Sequence, residues 1–424
     1  MASRFGRCAL SGVAACLLAA CGGSQPPIGA AGAMPQSIAT RLQARNTGTK
    51  YRVLFDFGSN VFGLYGAFPV APLIDVNGTL YGTTEYGGSY YFRSLPGAGT
   101  VFSIGTSGLN ERVLLSFEAY EGGPVAGLVA VNGMLYGTTV GGGKFNAGMV
   151  FSVGTNGKNA RVLHSFGKGA DGVDPRASLT ALHGVLYGTT YQGGSYGAGT
   201  VFSVRISDGR ERVLHSFSGQ PDCAYPLSNL IDVHGLLYGT APGDCGNGGG
   251  GIFSISTTGV EKIVFSFGPS TKDGSAPEAG VIAKNGWFYG TTEAGGSADY
   301  GTVFKVRETG TDEQVLHSFT NNGSDGIGPT AGVIDVKEVL YGTTSAGGSG
   351  TSGTVFRVTT DGKNERVLHS FTYGENDGLL PEAGLIDVDG TLYGTTAAGG
   401  ISLPSCPRSA SQSCDYGTVF ALAP

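Results

Sequence analysis

Most side chains capable of chemistry in this sequence recur at a fixed spacing. His164, His215, His317 and His369 each stand in an RVLHSF-like run. Asp171, Asp273, Asp325 and Asp377 each open a D-G-x-x-P segment, and Asp222 holds the same place in one further copy. A residue that repeats with a structural unit serves that unit. The histidines therefore read as hydrogen-bonded parts of a scaffold, and the aspartates as turn caps whose carboxylates accept from nearby backbone N–H groups. The alternative for the aspartates is weak Ca²⁺ binding through their hard oxygens. Their spacing matches neither an EF-hand nor a nonapeptide calcium repeat, so no metal site and no cofactor are predicted. His183 and His234 fall at hairpin tips and read as solvated.

Residues that vary between repeats are better candidates for a specific task. Directly after the proline of each incoming loop stand Val70, Val125, Arg176, Leu227, Glu278, Thr330 and Glu382. Directly after each YGTT-like segment stand Glu85, Val140, Tyr191, Pro242, Glu293, Ser345 and Ala397. Both positions belong to the same face of the repeat, the first of them near the axis. A scaffold tolerates many residues there, so the variation is either neutral drift or a ligand surface, because loops on a rigid frame are where binding resides. Glu85, Arg176, Tyr191, Glu278, Glu293 and Glu382 are the ligand-face candidates. No acid and base can be assigned among them from spacing alone. No H-E-x-x-H and no Walker loop occurs.

The chain has seven cysteines. Cys8 and Cys16 lie in an N-terminal leader and Cys21 closes it. Cys223 precedes the first strand of the fourth repeat, and Cys245 lies between that repeat's second and third strands. In a meander these two loops emerge together, so a disulfide is sterically reasonable. Cys406 and Cys414 share one long insertion. An even count beyond the leader favours disulfides in an oxidising compartment. Zinc held by all four thiolates would need a paired spacing that is absent.

The elements that position these residues are read from the repeat. The tyrosine of LYGTT falls at Tyr81, Tyr136, Tyr187, Tyr238, Tyr289, Tyr341 and Tyr393, a period of 51 to 55 residues. Each period holds four β-like runs, for example SLTALHG, VLYGTT, GTVFSV and RVLHSF, rich in β-branched and aromatic residues and bounded by turn formers. Asn77-Gly78, Asn132-Gly133, Asn285-Gly286 and Asp389-Gly390 join the first two runs and are type I′ hairpin signals. Short polar turns such as Thr155 to Lys158 join the last two. Each repeat is thus a four-stranded antiparallel meander, and radial stacking buries both faces of each sheet. The predicted fold is all-β, a seven-bladed β-propeller over residues 51–424. The 76 glycines among 424 residues then serve turns and close packing rather than low complexity.

The phase of the chain predicts how the ring closes. The propeller begins with a fourth-strand run at residues 52–57 and ends with a third-strand run at residues 417–421. The N-terminal run should therefore complete the last blade and remove an exposed edge. The fourth repeat departs from the pattern. Ala241, Pro242, Gly243, Asp244 and Cys245 replace TxxGG there, and GGIF replaces GTVF, which puts its loop geometry in question.

Residues 1–20 carry Arg4 and Arg7 followed by a small-residue apolar stretch too short to span a bilayer comfortably. The stretch ends in LAACG, which resembles the bacterial lipobox. That resemblance implies cleavage before Cys21 and its lipidation, an anchor that does not span the membrane. Gly22 is not an inner-membrane retention residue, so the implied address is the outer membrane or cell surface. Residues 21–50 are aperiodic and read as a flexible tether. The net charge of −6 and the lack of any Lys/Arg run exclude nucleic acid as a partner.

The block GxLYGTTxxGGxxxxGTVF resembles the GloVer tandem repeat of surface-attached bacterial proteins that use various anchors. Residues 281–304 give one copy, VIAKNGWFYGTTEAGGSADYGTVF. The resemblance implies an extracytoplasmic propeller and supplies no activity or catalytic residue. Two functions remain open at this point. One is a lipid-anchored binding module on the cell envelope, for a glycan or an envelope protein. The other is a carbohydrate- or lactone-active hydrolase or lyase using acidic residues at the channel mouth.

Overall fold

The computed structural model describes residues 50–59, 65–88, 97–118, 122–268, 273–373, 377–400 and 416–424. Cys21, Cys406 and Cys414, the leader and most of the tether lie outside these residues. The described residues form seven antiparallel four-stranded blades in a ring, a seven-bladed β-propeller. In the third blade the strands are Thr180–Leu182, Val185–Thr190, Thr200–Arg205 and Glu211–Ser216, running from the axis outward. The other blades repeat this order. The hairpins between the first two strands are type I′, with both central residues in the left-handed region, as at Asn77 (φ 55°) and Gly78 (φ 77°). Among the described residues no helix is long and apolar enough to cross a membrane.

The ring closes as the phase of the repeats requires. Tyr51–Asp56 pairs antiparallel with Thr418–Leu422, bringing Tyr51 opposite Leu422 and Asp56 opposite Thr418. This strand becomes the outer strand of the seventh blade, whose other strands all come from the C-terminal end.

The repeated motifs are explained by what they meet. The glycine of YGTT lies against the phenylalanine of GTVF: a Cβ on Gly82 would come within 2.6 Å of the Phe102 ring, and the other six blades are alike. The first threonine reaches the neighbouring blade. Its hydroxyl donates to a backbone carbonyl just beyond the next incoming proline at 2.8–3.4 Å, from Thr83 to Ala126 around to Thr395, which closes the circle on Ala71. The second threonine stays within its blade, as in the 2.9 Å contact between Thr84 and Thr100. The last phenylalanine of each RVLHSF run, from Phe57 to Phe371, is fully buried. Each meets the GTVF phenylalanine of the next blade edge-on, with ring centroids 4.8–5.4 Å apart. Edge-to-face pairs of this kind contribute about 0.5–1.5 kcal/mol beyond their burial. Adjacent blades are therefore joined at seven seams by the same polar and aromatic contacts.

Each outer strand carries a β-bulge. In the third blade Phe202 pairs with Val213 and Val201 with His215, leaving Leu214 as the extra residue. Beyond the bulge, the histidine of four blades meets the aspartate of the following incoming loop: His164 with Asp171, His215 with Asp222, His317 with Asp325 and His369 with Asp377, at 2.9–3.3 Å. The same carboxylates accept from the next backbone N–H, for example Gly172 at 2.7 Å. The fourth blade keeps all four strands, and Ala241 pairs with Gly251 despite the altered motif. A disulfide joins Cys223 to Cys245 there.

Candidate functional site at the channel mouth

In six of the seven incoming loops one residue with an unusual backbone conformation organises the axial face. Phe68, Asp174, Tyr225, Ala276, Gly328 and Leu380 all lie in the left-handed region, with φ between 54° and 62°. Phenylalanine, tyrosine and leucine rarely adopt this conformation, so the loop holds it against local preference. The carbonyl of this residue accepts the backbone N–H of the residue after YGTT. Glu85 donates to Phe68 at 3.0 Å, Tyr191 to Asp174 at 2.9 Å and Glu293 to Ala276 at 3.0 Å. Val140, Ser345 and Ala397 make the same bond to their own loops. Pro242 has no N–H to give. The two variable positions of the sequence are thereby clamped side by side.

Two residues further on, the chain reaches the axis. Val70, Val125, Arg176, Leu227, Glu278, Thr330 and Glu382 all line the open central channel, which has a volume of about 290 Å³. Glycine and alanine supply much of the remaining wall, including Gly127, Ala177, Gly280 and Ala383, with Asn229, Ile231 and Val281 among the rest. Three of the six ligand-face candidates, Arg176, Glu278 and Glu382, therefore line the channel itself. The other three, Glu85, Tyr191 and Glu293, stand beside it in the adjoining ring.

These six side chains act on one another although they come from blades one, three, five and seven. Arg176 donates from Nε to Asp174 at 2.9 Å, with Nη2 at 2.8 Å from the same oxygen. Its guanidinium lies 5.0 Å from the centroid of the Tyr191 ring. The hydrogen bond to Asp174 raises the Arg176 pKa further above its ordinary value. Burial pushes Glu278 up to about 7, helped by the charge of Glu293, a hydrogen bond to it and the charge of Glu382. Glu382 is also raised, first by burial and then by Glu85. A carboxyl raised in this way suits proton exchange near neutrality.

Two members of this face lay outside the sequence-based candidates. Asp174 orients Arg176. Tyr225 packs 5.2 Å from Tyr191 and is 41% exposed. Their signal was their place just before the incoming proline, where the other repeats carry the nonpolar residues Phe68, Gly123, Ala276, Gly328 and Leu380. The face as a whole offers carboxylate acceptors, a guanidinium donor and two tyrosine rings, the chemistry that receives hydroxyl-rich ligands.

Fold and channel mouth together define a seven-bladed β-propeller with a charged face at one end of its channel. Residues 92–272 and 269–424 match the Gloeobacter/Verrucomicrobia repeat, and the chain belongs to that family. No curated protein matches the chain. Among solved structures, it is similar to a chain of the nidogen/laminin complex, with 12% identity over 64% of this chain and 90% of that chain and a TM-score of 0.39. It is likewise similar to TolB from Acinetobacter baumannii, with 13% identity over 70% of this chain and 68% of that chain and a TM-score of 0.42. The Cys223–Cys245 disulfide is the chemistry of an oxidising, extracytoplasmic compartment.

Proposed function

We propose that this protein is a binding module of the bacterial cell envelope that takes a hydroxyl-rich ligand, a glycan in the first instance, at the mouth of its channel. The observation that carries this reading is the convergence of Glu85, Arg176, Tyr191, Glu278, Glu293 and Glu382. They come from four blades, at positions where other blades hold Val, Leu, Thr, Ser, Ala or Pro. Rigid placement of a few polar groups around a small-residue cavity is how concave sites fix a ligand's orientation. A glycan array probed with the purified chain, followed by calorimetry, tests it. Arg176→Ala and Glu382→Gln should each weaken binding about tenfold or more, in line with a loss of about 1.5–3 kcal/mol per charged hydrogen bond. His183→Ala, at an exposed hairpin tip, should leave binding unchanged. Equal affinity in all three variants would sink the assignment.

The second reading, a hydrolase or lyase acting on a sugar or lactone, is favoured by the place of Glu278 on the channel wall, where burial raises its pKa to about 7. In that case Glu278→Gln abolishes turnover of a lactone or aryl-glycoside panel while binding persists. The disulfide also fits the surface address that the lipobox-like segment suggests. Acyl labelling that is lost in Cys21→Ser would support the membrane anchor, and unchanged labelling would refute it.

A further inference from the structure

The seven seams between blades differ in one respect. Where the outer strands of neighbouring blades meet, three positions face one another: the histidine position of one strand, the aspartate position of the following loop, and the residue that begins the next outer strand. At three seams all three are ligand-bearing: His164, Asp171 and Glu211; His215, Asp222 and Glu261; His317, Asp325 and Glu365. Within each set one atom from each residue lies within 4.8 Å of the other two. The aspartates are already aimed, one oxygen toward the imidazole and the other held by a backbone N–H at 2.7–2.8 Å. The glutamates are not settled. The Oε1 atoms of Glu211, Glu261 and Glu365 are sealed from solvent and have no hydrogen-bond partner. A buried carboxylate oxygen left in that condition is destabilising unless something positive satisfies it.

We propose that these three seams are binding sites for a divalent transition ion of the zinc class, each ion held by one imidazole and two carboxylates from adjacent blades. Three protein ligands of N and O type, with a fourth position for water, suit that ion. The imidazole argues against Ca²⁺, which takes six to eight oxygens. Tetrahedral ligation at about 2.0–2.2 Å sets ligand atoms roughly 3.3 Å apart, so the glutamate must move in by on the order of 1 Å while the imidazole and aspartate, 2.9–3.3 Å apart, exchange their hydrogen bond for the ion. The histidine side chains are 18–21% exposed, so an ion can enter from the rim. Bound there, it would clamp neighbouring blades against each other.

The ring supplies its own controls. At the seam of His369 and Asp377 the glutamate position is Tyr51, whose ring stacks on the imidazole at 3.8 Å. At another seam Phe265 takes the histidine position and brings no nitrogen, while Asp273 and Glu313 act on each other by charge. Glu111, beside Phe55 at the closing seam, and Glu313 also have sealed, unpartnered Oε1 atoms, so the orphaned glutamate alone is a property of the repeat. Among the described residues, three sets add both the histidine and the aspartate.

The test is equilibrium dialysis of the untagged chain, stripped with chelator, against about 100 µM Zn²⁺, with bound metal counted by mass spectrometry and thermal unfolding followed in parallel. The expected count is three ions per chain. Each of Glu211→Gln, Glu261→Gln and Glu365→Gln should lower it by one, and His369→Ala should leave it at three. Zn²⁺ should raise the unfolding temperature of the parent but not of the triple glutamine variant. That variant is isosteric and should unfold cooperatively in chelator, showing that it is folded. A count below one ion per chain, or one unchanged in the triple variant, would overturn the assignment.

Discussion

Removal of the closing strand tests whether the propeller is one cooperative ring or an array that tolerates a missing edge. Deletion of residues 51–58 takes away the partner of Thr418–Leu422 and leaves that strand as an open edge. It also removes three buried apolar side chains, Leu54, Phe55 and Phe57. At about 1.5–3 kcal/mol each, their burial contributes roughly 5–9 kcal/mol. The edge-on pair of Phe57 with Phe102, which ties the seventh blade to the first, goes with them. Typical domain stabilities are about 5–15 kcal/mol, so the deletion should remove most of the total. Thermal and urea unfolding monitored by near-UV circular dichroism would show it, with size-exclusion chromatography reporting association through the freed edge. Phe57→Ala is the milder version and should cost about 3–5 kcal/mol. Removal of residues 22–45, which lie outside the described residues, controls for chain length and should leave unfolding unchanged. If deletion of residues 51–58 shifted the unfolding midpoint no more than that control, the seams would be acting independently and the closure argument would fail.

The remaining predictions concern polar groups. Thr395→Val strands the carbonyl of Ala71 at the closing seam and should cost about 1–3 kcal/mol in urea unfolding, the penalty for an unsatisfied buried acceptor. Replacing both Cys223 and Cys245 by serine opens a loop closed across 22 residues and should lower stability by about 3 kcal/mol on the chain-entropy account. Reductant should then have little further effect on the variant. Burial raises Glu111 to about 8 and Glu211, Glu261 and Glu313 to about 7. Between about pH 4.5 and those values the folded, metal-free chain binds more protons than the unfolded chain, so stability is greatest at the acid end and falls as pH rises through 7 to 8. The unfolding temperature in chelator should be higher at about pH 5.5 than at pH 8, and Glu111→Gln should flatten that slope; a rise with pH would contradict the burial of these carboxyls.

The architecture was legible in the sequence because its determinants are local and repeated seven times. Hairpin pairing depends on residues a few places apart, so Asn77-Gly78 announces its turn and LYGTT announces its strand. Even ring closure could be read, since the phase of the first and last runs leaves one strand of one blade to be supplied from the other end. The same logic identified the two variable positions, because a residue that departs from its repeat is visible without a structure. Partners across blades were not legible. His164, Asp171 and Glu211 are separated in sequence and meet only because radial stacking sets one outer strand against the next. Asp174 acquires its role from an unusual backbone conformation that lets it grip Arg176. Glu85 and Glu382, near opposite ends of the chain, influence each other because the ring brings the first and seventh blades together at the axis. The sequence by itself determined the repeat, the strands and the face on which variation occurs. Only the tertiary structure decided which side chains share that face's channel and seams, because those contacts depend on how seven separately encoded sheets pack around one axis.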